Sequence, residues 1–174
     1  MKKRLLFVSL ALALVLTTLM PAAALAAKPV SFDASGIVTC ISPGTVFPAG
    51  ESGRWVVVER ELSGTFLSGN IDGDFTMTYK ANVELSTQAG NLHGTLKAGP
   101  YALKLNGKIQ PLEMVPTPFG IDLPKLTIKG HWTFTNGAQG GGNFDTWVIF
   151  IPTPEGHVGS IVASDINLTG KWQP

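Results

Sequence analysis

Apolar and polar residues alternate along most of the chain that follows residue 27. The clearest stretch runs from Ile71 to Leu85, where every second residue is apolar, aromatic or glycine and the residues between them are Asp, Thr, Lys, Asn and Glu. A side-chain period of two is typical of a β-strand with one buried and one solvent-facing side. Segments of this type predict eight strands, at approximately 30–41, 54–68, 71–85, 91–99, 101–110, 125–135, 143–151 and 157–172.

The predicted strands share a short motif, apolar–x–Gly–x–apolar. Seven full copies are centred on Gly36, Gly64, Gly73, Gly94, Gly107, Gly130 and Gly170. In each copy the glycine falls on the same face as the apolar residues. Glycine weakens a flat strand, but on the inner side of a strongly coiled sheet the missing side chain lets the strand bend. We therefore predict inward-facing glycines in a strongly coiled sheet.

Most of the connections between the predicted strands are short and contain polar residues or glycine, which suits antiparallel neighbours. Eight coiled antiparallel strands predict an all-β fold, a single up-and-down barrel that closes on itself and so removes its edges. A two-sheet β-sandwich is the alternative. Residues 111–124 differ, because they include four prolines. We expect these prolines to prevent a strand and the segment to form a lid or a packed cap.

The first 26 residues have the pattern of a cleaved secretory signal peptide. Lys2, Lys3 and Arg4 precede an apolar run, and Ala24-Leu25-Ala26 supplies small residues before the expected cleavage site. Cleavage there leaves residues 27–174, which we expect to form one β-barrel domain of ordinary size. The protein is thus predicted to be exported, as a secreted, periplasmic or cell-envelope protein.

Composition excludes several partners and cofactors. Three of the 13 basic residues lie in the predicted signal, which leaves 10 basic against 12 acidic residues and a net charge of −2. A protein with this balance of charges lacks the excess of Lys and Arg that nucleic-acid binding requires. After the signal, no apolar run approaches the ~20 residues of a transmembrane helix. The only cysteine, Cys40, cannot form an internal disulfide, and no zinc-type spacing is present, so we expect neither a metal nor another cofactor.

An eight-stranded outer-membrane barrel is a further alternative, with its apolar side chains outward and its charges inward. Only two tyrosines are available for the aromatic girdles of such a barrel, which argues against it.

The repeated strands, of which Leu168-Thr169-Gly170-Lys171-Trp172 is an example, resemble those of avidin-type and lipocalin-type barrels. In size, glycine-rich hairpins and export signal, the chain is also similar to allene-oxide-cyclase or dirigent-like barrels. These resemblances are at the level of fold. They imply that the barrel interior binds a small apolar molecule or carries out cyclisation chemistry, often in an oligomer.

The phase of the glycines predicts an apolar and aromatic interior, with Phe32, Val38, Cys40, Phe66, Phe75, Met77, Leu96, Leu103, Trp132, Phe134, Phe144, Val148, Phe150, Val162, Ile166 and Trp172. Such an interior is either a solid core or has room for one ligand. The residues predicted to contact a ligand are Arg60, Tyr79, Trp132, Ser160 and Ser164.

Arg60 is the most informative of these residues, because no Asp or Glu shares its inward phase and a buried unpaired cation is costly. Three arrangements would solve this problem. A bulge within Glu59-Arg60-Glu61 would turn Arg60 outward and swing Trp55 and Val57 inward. Alternatively, Arg60 reaches water or a carboxylate at the barrel mouth. In the third arrangement it binds the anionic head group of a ligand.

Several apolar residues fall in outward phase, at Ile37, Trp55, Val57, Trp147, Ile149 and Ile161. If the last strand pairs with the first, these residues form one apolar patch, and such patches mark partner surfaces. We therefore predict a homo-oligomer whose interface includes Trp55, Trp147, Ile149 and Ile161.

The sequence offers no catalytic constellation. His93 and His131 fall on the outer face, His157 lies near a hairpin, and no carboxylate or histidine is predicted inside the barrel. This favours a non-catalytic barrel that binds a small apolar or amphipathic molecule. An allene-oxide-cyclase-like cyclase or isomerase is one alternative, and a secreted structural or cell-surface interaction module is another.

Overall fold

The computed structural model describes residues 28–118, 120–135, 137–154 and 157–173, so the predicted signal sequence lies outside the described residues. None of these residues forms a helix, and hence none forms a helix that is long and apolar enough to cross a membrane. Ten strands make up the fold: β1 Val30–Ile41, β2 Thr45–Ala49, β3 Trp55–Gly69, β4 Gly73–Glu84, β5 Gly90–Ala98, β6 Tyr101–Ile109, β7 Glu113–Pro116, β8 Asp122–Phe134, β9 Gln139–Pro152 and β10 Val158–Gln173.

Eight of these strands form a closed antiparallel barrel, in the order β1-β10-β9-β8-β6-β5-β4-β3, and β1 then pairs with β3 to complete the ring. The barrel prediction is confirmed and the sandwich alternative is wrong. The eight strands lie within a few residues of their predicted positions, because the alternation that predicts them reflects one buried and one exposed face.

The two remaining strands lie outside the ring. β2 continues β1 along β3, and β7 continues β6 along β8. The expectation that prolines prevent a strand in 111–124 is therefore wrong. Pro116 is the last residue of β7, and β7 pairs only with β8. A strand with one partner tolerates proline, since a missing N–H there removes no ladder bond on its free side.

The barrel interior is apolar, whereas Thr, Lys, Asp and Asn dominate the outer face. This is the reverse of the arrangement that the outer-membrane alternative requires. Along β4, for example, Phe75, Met77, Tyr79, Ala81 and Val83 are buried and every residue between them is exposed.

Inward-facing glycines accommodate large aromatic rings from other strands. A Cβ added at Gly107 would lie 2.8 Å from Cζ of Phe144, and one added at Gly130 would lie 2.8 Å from Cε1 of the same ring. Phe75 packs in the same way on Gly64. The repeated motif thus provides space for rings inside a narrow barrel. Gly73 is different, because its φ of +87° places it at the turn into β4 rather than on the inner wall.

Two residues of the predicted interior lie outside it. Cys40 is exposed, and Val162 is 51% exposed. The reason is a register shift in each strand, between Val38 and Cys40 in β1 and between Ile161 and Ala163 in β10. An irregularity of this kind reverses the inward and outward phase. Ile41 is accordingly buried and Ile161 packs against the core.

One end of the barrel, which we term the closed end, is filled by aromatic side chains. The ring centroids of Phe32 and Trp132 are 4.8 Å apart, and the centroids of Phe32 and Phe134 are 5.5 Å apart. Tyr101 and Trp172 complete the cluster. Offset and edge-to-face ring pairs of this kind add to the stability that comes from burial.

Candidate functional site

The opposite end of the barrel, which we term the open end, contains a cavity of about 250 Å³. It lies where β3, β8 and β10 begin and where β4, β6 and β9 end. Its apolar lining comes from Val46, Val56, Val58, Ala81, Val83, Leu85, Ile109, Leu112, Leu126, Phe150 and Val158, and its polar lining comes from Arg60, Tyr79, Gln88 and His157.

Small side chains leave this space. The inner positions of β3 and β4 carry Val56, Val58, Ala81 and Val83 at the open end, whereas the same two strands carry Phe66 and Phe75 toward the closed end. The two phenylalanine rings pack together with centroids 4.6 Å apart. Side-chain volume on these two strands therefore decreases from the closed end to the open end.

Arg60 points into the cavity region. It lies on β3 between the buried residues Val58 and Leu62, and its cross-strand partner on β4 is Tyr79. The register between β3 and β4 runs without a shift from Trp55 to Phe66. The hypothesis of a bulge that turns Arg60 outward is therefore wrong.

The segment between β1 and β2 supports the Arg60 side chain. Nε of Arg60 donates a hydrogen bond to the Pro43 carbonyl oxygen at 3.2 Å. Gly44 makes this approach feasible, since a Cβ there would lie 2.5 Å from Cγ of Arg60, and its φ of +66° is a conformation that favours glycine. The break between β1 and β2 thus positions the cation.

Tyr79 forms the second polar group of the cavity. Its side chain is buried, and this burial raises the pKa of the Tyr79 phenol above its ordinary value. The positive charge and hydrogen-bond donors of the adjacent Arg60 guanidinium lower this pKa and oppose the increase only in part. The phenol therefore stays protonated, so that it can accept a bond from Arg60 and still donate its own proton.

No ion pair between described residues includes Arg60. The three that they form are Arg54 with Glu84, Lys80 with Glu59 and Lys125 with Glu113. Arg60 is half-buried, so its charge is partly removed from water without a described carboxylate to offset that cost. The guanidinium and the phenol together present hydrogen-bond donors to the cavity.

The other predicted ligand contacts are not in the cavity. Trp132 is buried in the closed end, where its Nε1 donates to the Thr169 carbonyl oxygen at 3.2 Å. Ser164 is part of the barrel wall, since its hydroxyl accepts a bond from the Val38 N–H at 3.0 Å and donates to the Val38 carbonyl at 2.7 Å. Ser160 is exposed, so its predicted interior position is wrong, and it lies within the irregular stretch of β10.

The residues of the predicted oligomer interface do not all lie on the outer face of the barrel. Trp147 and Ile149 are partly buried on the outer face of β9, and Nζ of Lys125 lies 5.7 Å from the centroid of the Trp147 ring. Trp55 is 38% exposed on β3. The outward orientation predicted for Ile161 is wrong, because the register shift in β10 turns it toward the core. Association of copies through Trp147 stays a prediction.

Sequence reasoning missed several contributors to the cavity, among them His157, Leu112 and Val46. His157 was expected near a hairpin but lines the cavity, and Leu112 comes from the proline-containing segment. Val46 lies on β2, which the sequence does not predict, because Val46 and Phe47 are consecutive apolar residues without alternation. No signal was present for His157, since the phase of β10 is interrupted nearby.

Searches with this chain among protein-family models, curated proteins and solved structures return no match. In the described ranges, no group of three or more His, Cys, Asp or Glu side chains has the arrangement of a metal site. The geometry of the cavity is therefore the basis for a functional proposal.

Proposed function

We propose that this barrel binds one small amphipathic molecule at its open end, without converting it, and that it does so after export. The observation that carries the proposal is that the polar side chains of Arg60 and Tyr79 lie together in a predominantly apolar cavity. A ligand with a carboxylate or another anionic head group would accept bonds from both side chains, and its apolar part would contact the valine and leucine side chains.

The size of the cavity limits the ligand. At about 250 Å³, it lies between the ~150 Å³ of an engineered site that holds benzene and the ~300–1,000 Å³ of common ligand sites. We therefore expect a compact molecule with a short apolar body, rather than a long-chain lipid held in full.

The cavity rim supports the same proposal. Val46, Leu85 and Leu112 line the cavity and yet are 45%, 48% and 37% exposed. Large apolar side chains that surround a cavity opening are a feature of sites where an apolar ligand covers them.

The first experiment is native mass spectrometry of the chain expressed with its signal and recovered without detergent. We expect a co-purifying small molecule on each subunit. Octanoate then serves as a defined probe, and octan-1-ol has the same chain without the charge. Arg60→Met should weaken octanoate binding by about 10- to 100-fold and should leave octanol binding nearly unchanged.

Arg54→Met is the matched control, because Arg54 is exposed, pairs with Glu84 and does not line the cavity. Its affinity for octanoate should equal that of the wild type. A clean apo mass together with no octanoate binding would contradict the proposal, as would equal affinity in Arg60→Met.

An enzyme of the cyclase or isomerase type is the second candidate. One observation favours it, since His157 lines the same cavity as the protonated phenol of Tyr79. An acid and a base in one cavity can transfer protons to and from a bound ligand. If the ligand recovered by native mass spectrometry changes in structure on prolonged incubation with wild type but not with His157→Ala, catalysis replaces simple binding.

A further inference from the structure

The outer surface of the barrel has a groove of about 840 Å³ that is separate from the cavity. It crosses β5, β6, β8 and β9 between two rows of polar side chains. Gly107, Gly130 and Phe144 separate the rows along their strands and also line the groove. The rows are two residues apart, so the groove is about 7 Å wide, and it extends about 14 Å across the four strands.

The first row consists of alternating histidine and asparagine. His93 pairs with Asn106, Asn106 with His131, and His131 with Asn143, and all four are exposed. Nδ1 of His93 donates to the Asn106 carboxamide oxygen at 2.7 Å, which leaves the amide N–H groups of Asn106 free to face a ligand. Carboxamides both donate and accept hydrogen bonds, and so do hydroxyl groups.

The second row contains two adjacent cations. Asn91 pairs with Lys108, Lys108 with Lys129, and Lys129 with Asp145. Lys108–Lys129 is the only directly opposed like-charge pair in the strand registers of the described residues, and Lys108 has no acidic cross-strand neighbour. Like charges in this position destabilise a sheet. An anionic ligand between them would remove that cost.

From these two rows we infer that the groove binds an acidic glycan, a chain of sugar rings that carries carboxylate or sulfate groups. Lys108 and Lys129 would bind the acidic groups, and the carboxamides and imidazoles of the first row would bind hydroxyls. Asp145 supports a glycan over a simple polyanion, because a carboxylate repels anions but accepts bonds from hydroxyl groups.

Other polymers fit the groove less well. Single-stranded nucleic acid is bound largely by stacking on aromatic rings, and the only Phe, Tyr or Trp of the lining, Phe144, is 2% exposed. Protein interfaces use buried apolar or aromatic anchors at their centre, whereas the side chains that project into this groove are polar or charged.

The test measures binding of the full exported chain to five polymers: polygalacturonate, dextran sulfate, neutral dextran, polyglutamate and single-stranded DNA. We expect binding to polygalacturonate or to dextran sulfate. Which of the two polymers binds shows whether the groove takes a carboxylated or a sulfated glycan. The Lys108→Gln/Lys129→Gln double variant should weaken that binding by about tenfold or more. Asn143→Ala, which changes no charge, should also weaken it.

Lys97→Gln/Lys104→Gln is the matched control, because both lysines are exposed on β5 and β6 and lie outside the groove. It removes the same charge and should retain wild-type affinity. Equal loss in the control variant, equal binding of polyglutamate or of single-stranded DNA, or binding to neither acidic glycan would each overturn the inference.

Discussion

The closed and open ends of this barrel are made from the same eight strands but differ in what fills them. At the closed end, rings of Phe32, Trp132 and Phe134 occupy the interior, and glycines elsewhere in the barrel make room for further rings. At the open end, valine and alanine leave a cavity in which the polar side chains of Arg60 and Tyr79 meet. The difference shows that side-chain volume on shared strands contributes to where a small barrel is packed and where it holds a cavity.

If the barrel binds a ligand as proposed, this division also separates stability from ligand binding. Dense aromatic packing at the closed end can keep the barrel closed. The open end can therefore tolerate unfilled volume and the poorly compensated charge of Arg60. Sites that must admit a ligand are commonly built from the less stable regions of a fold.

Matched leucine truncations give the largest expected effect. Leu103 is fully buried toward the closed end, whereas Leu126 is half-buried and lines the cavity. Leu103→Ala should lower the free energy of unfolding by about 4–5 kcal/mol and Leu126→Ala by about 2 kcal/mol, because the surroundings of Leu103 cannot collapse around a new cavity. Urea unfolding measures both values. Equal losses would show that the two ends contribute alike.

A glycine substitution tests whether the rings depend on the missing side chains. Gly107→Ala places a Cβ 2.8 Å from Phe144 and 2.9 Å from the Lys129 carbonyl oxygen. We expect a loss of about 1–3 kcal/mol in the free energy of unfolding. Phe144→Leu in the same chain should recover part of that loss, and a double-mutant cycle measures the coupling. Strictly additive effects would contradict direct contact between this ring and the glycine.

The smallest expected effect is the pH dependence of stability that comes from the Tyr79 phenol at the open end. The folded protein holds the pKa of Tyr79 above its unfolded value of about 10. Its contribution to stability is therefore fully present below about pH 10 and decreases as pH rises through the folded pKa. Tyr79→Phe should remove this part of the alkaline decrease.

The chain has only two tyrosines, so Tyr101→Phe leaves Tyr79 as the single phenol for ultraviolet titration. Its titration midpoint should lie above that of the same variant unfolded in urea. A midpoint equal to the unfolded value would show that Tyr79 is solvated, and the open end would then be wider than described.

Much of the fold follows from the sequence, because alternation and glycine phase are local signals. The strand from Ile71 to Leu85 and the inward glycines are of this kind, and eight antiparallel strands with short connections leave few ways to close. The exceptions are positions where the alternation of inward and outward side chains along a strand is interrupted. Nothing local in β1 or β10 indicates the register shifts that expose Cys40 and Val162, since such shifts depend on the neighbouring strand.

The candidate site was less predictable for the same reason. Arg60 and Tyr79 share an inward phase, so their proximity could be anticipated, although no local signal ruled out a bulge at Arg60. Ser160 and His157 lie next to the irregular part of β10, and their predicted positions failed there. Whether an inward position is packed or empty depends on side chains from several strands, which no single segment reveals.

The hydroxyl of Ser164 has a consequence for how the proposed ligand would enter. Backbone pairing between β1 and β10 ends at Gly36 and Ile166, and beyond it the Ser164 hydroxyl joins Val38 to β10 through two hydrogen bonds. A separation of β1 from β10 that starts at the open end would therefore first break these two hydrogen bonds. Such a separation would leave the ladder between Val30 and Gly36 intact and would widen the open end for the proposed ligand.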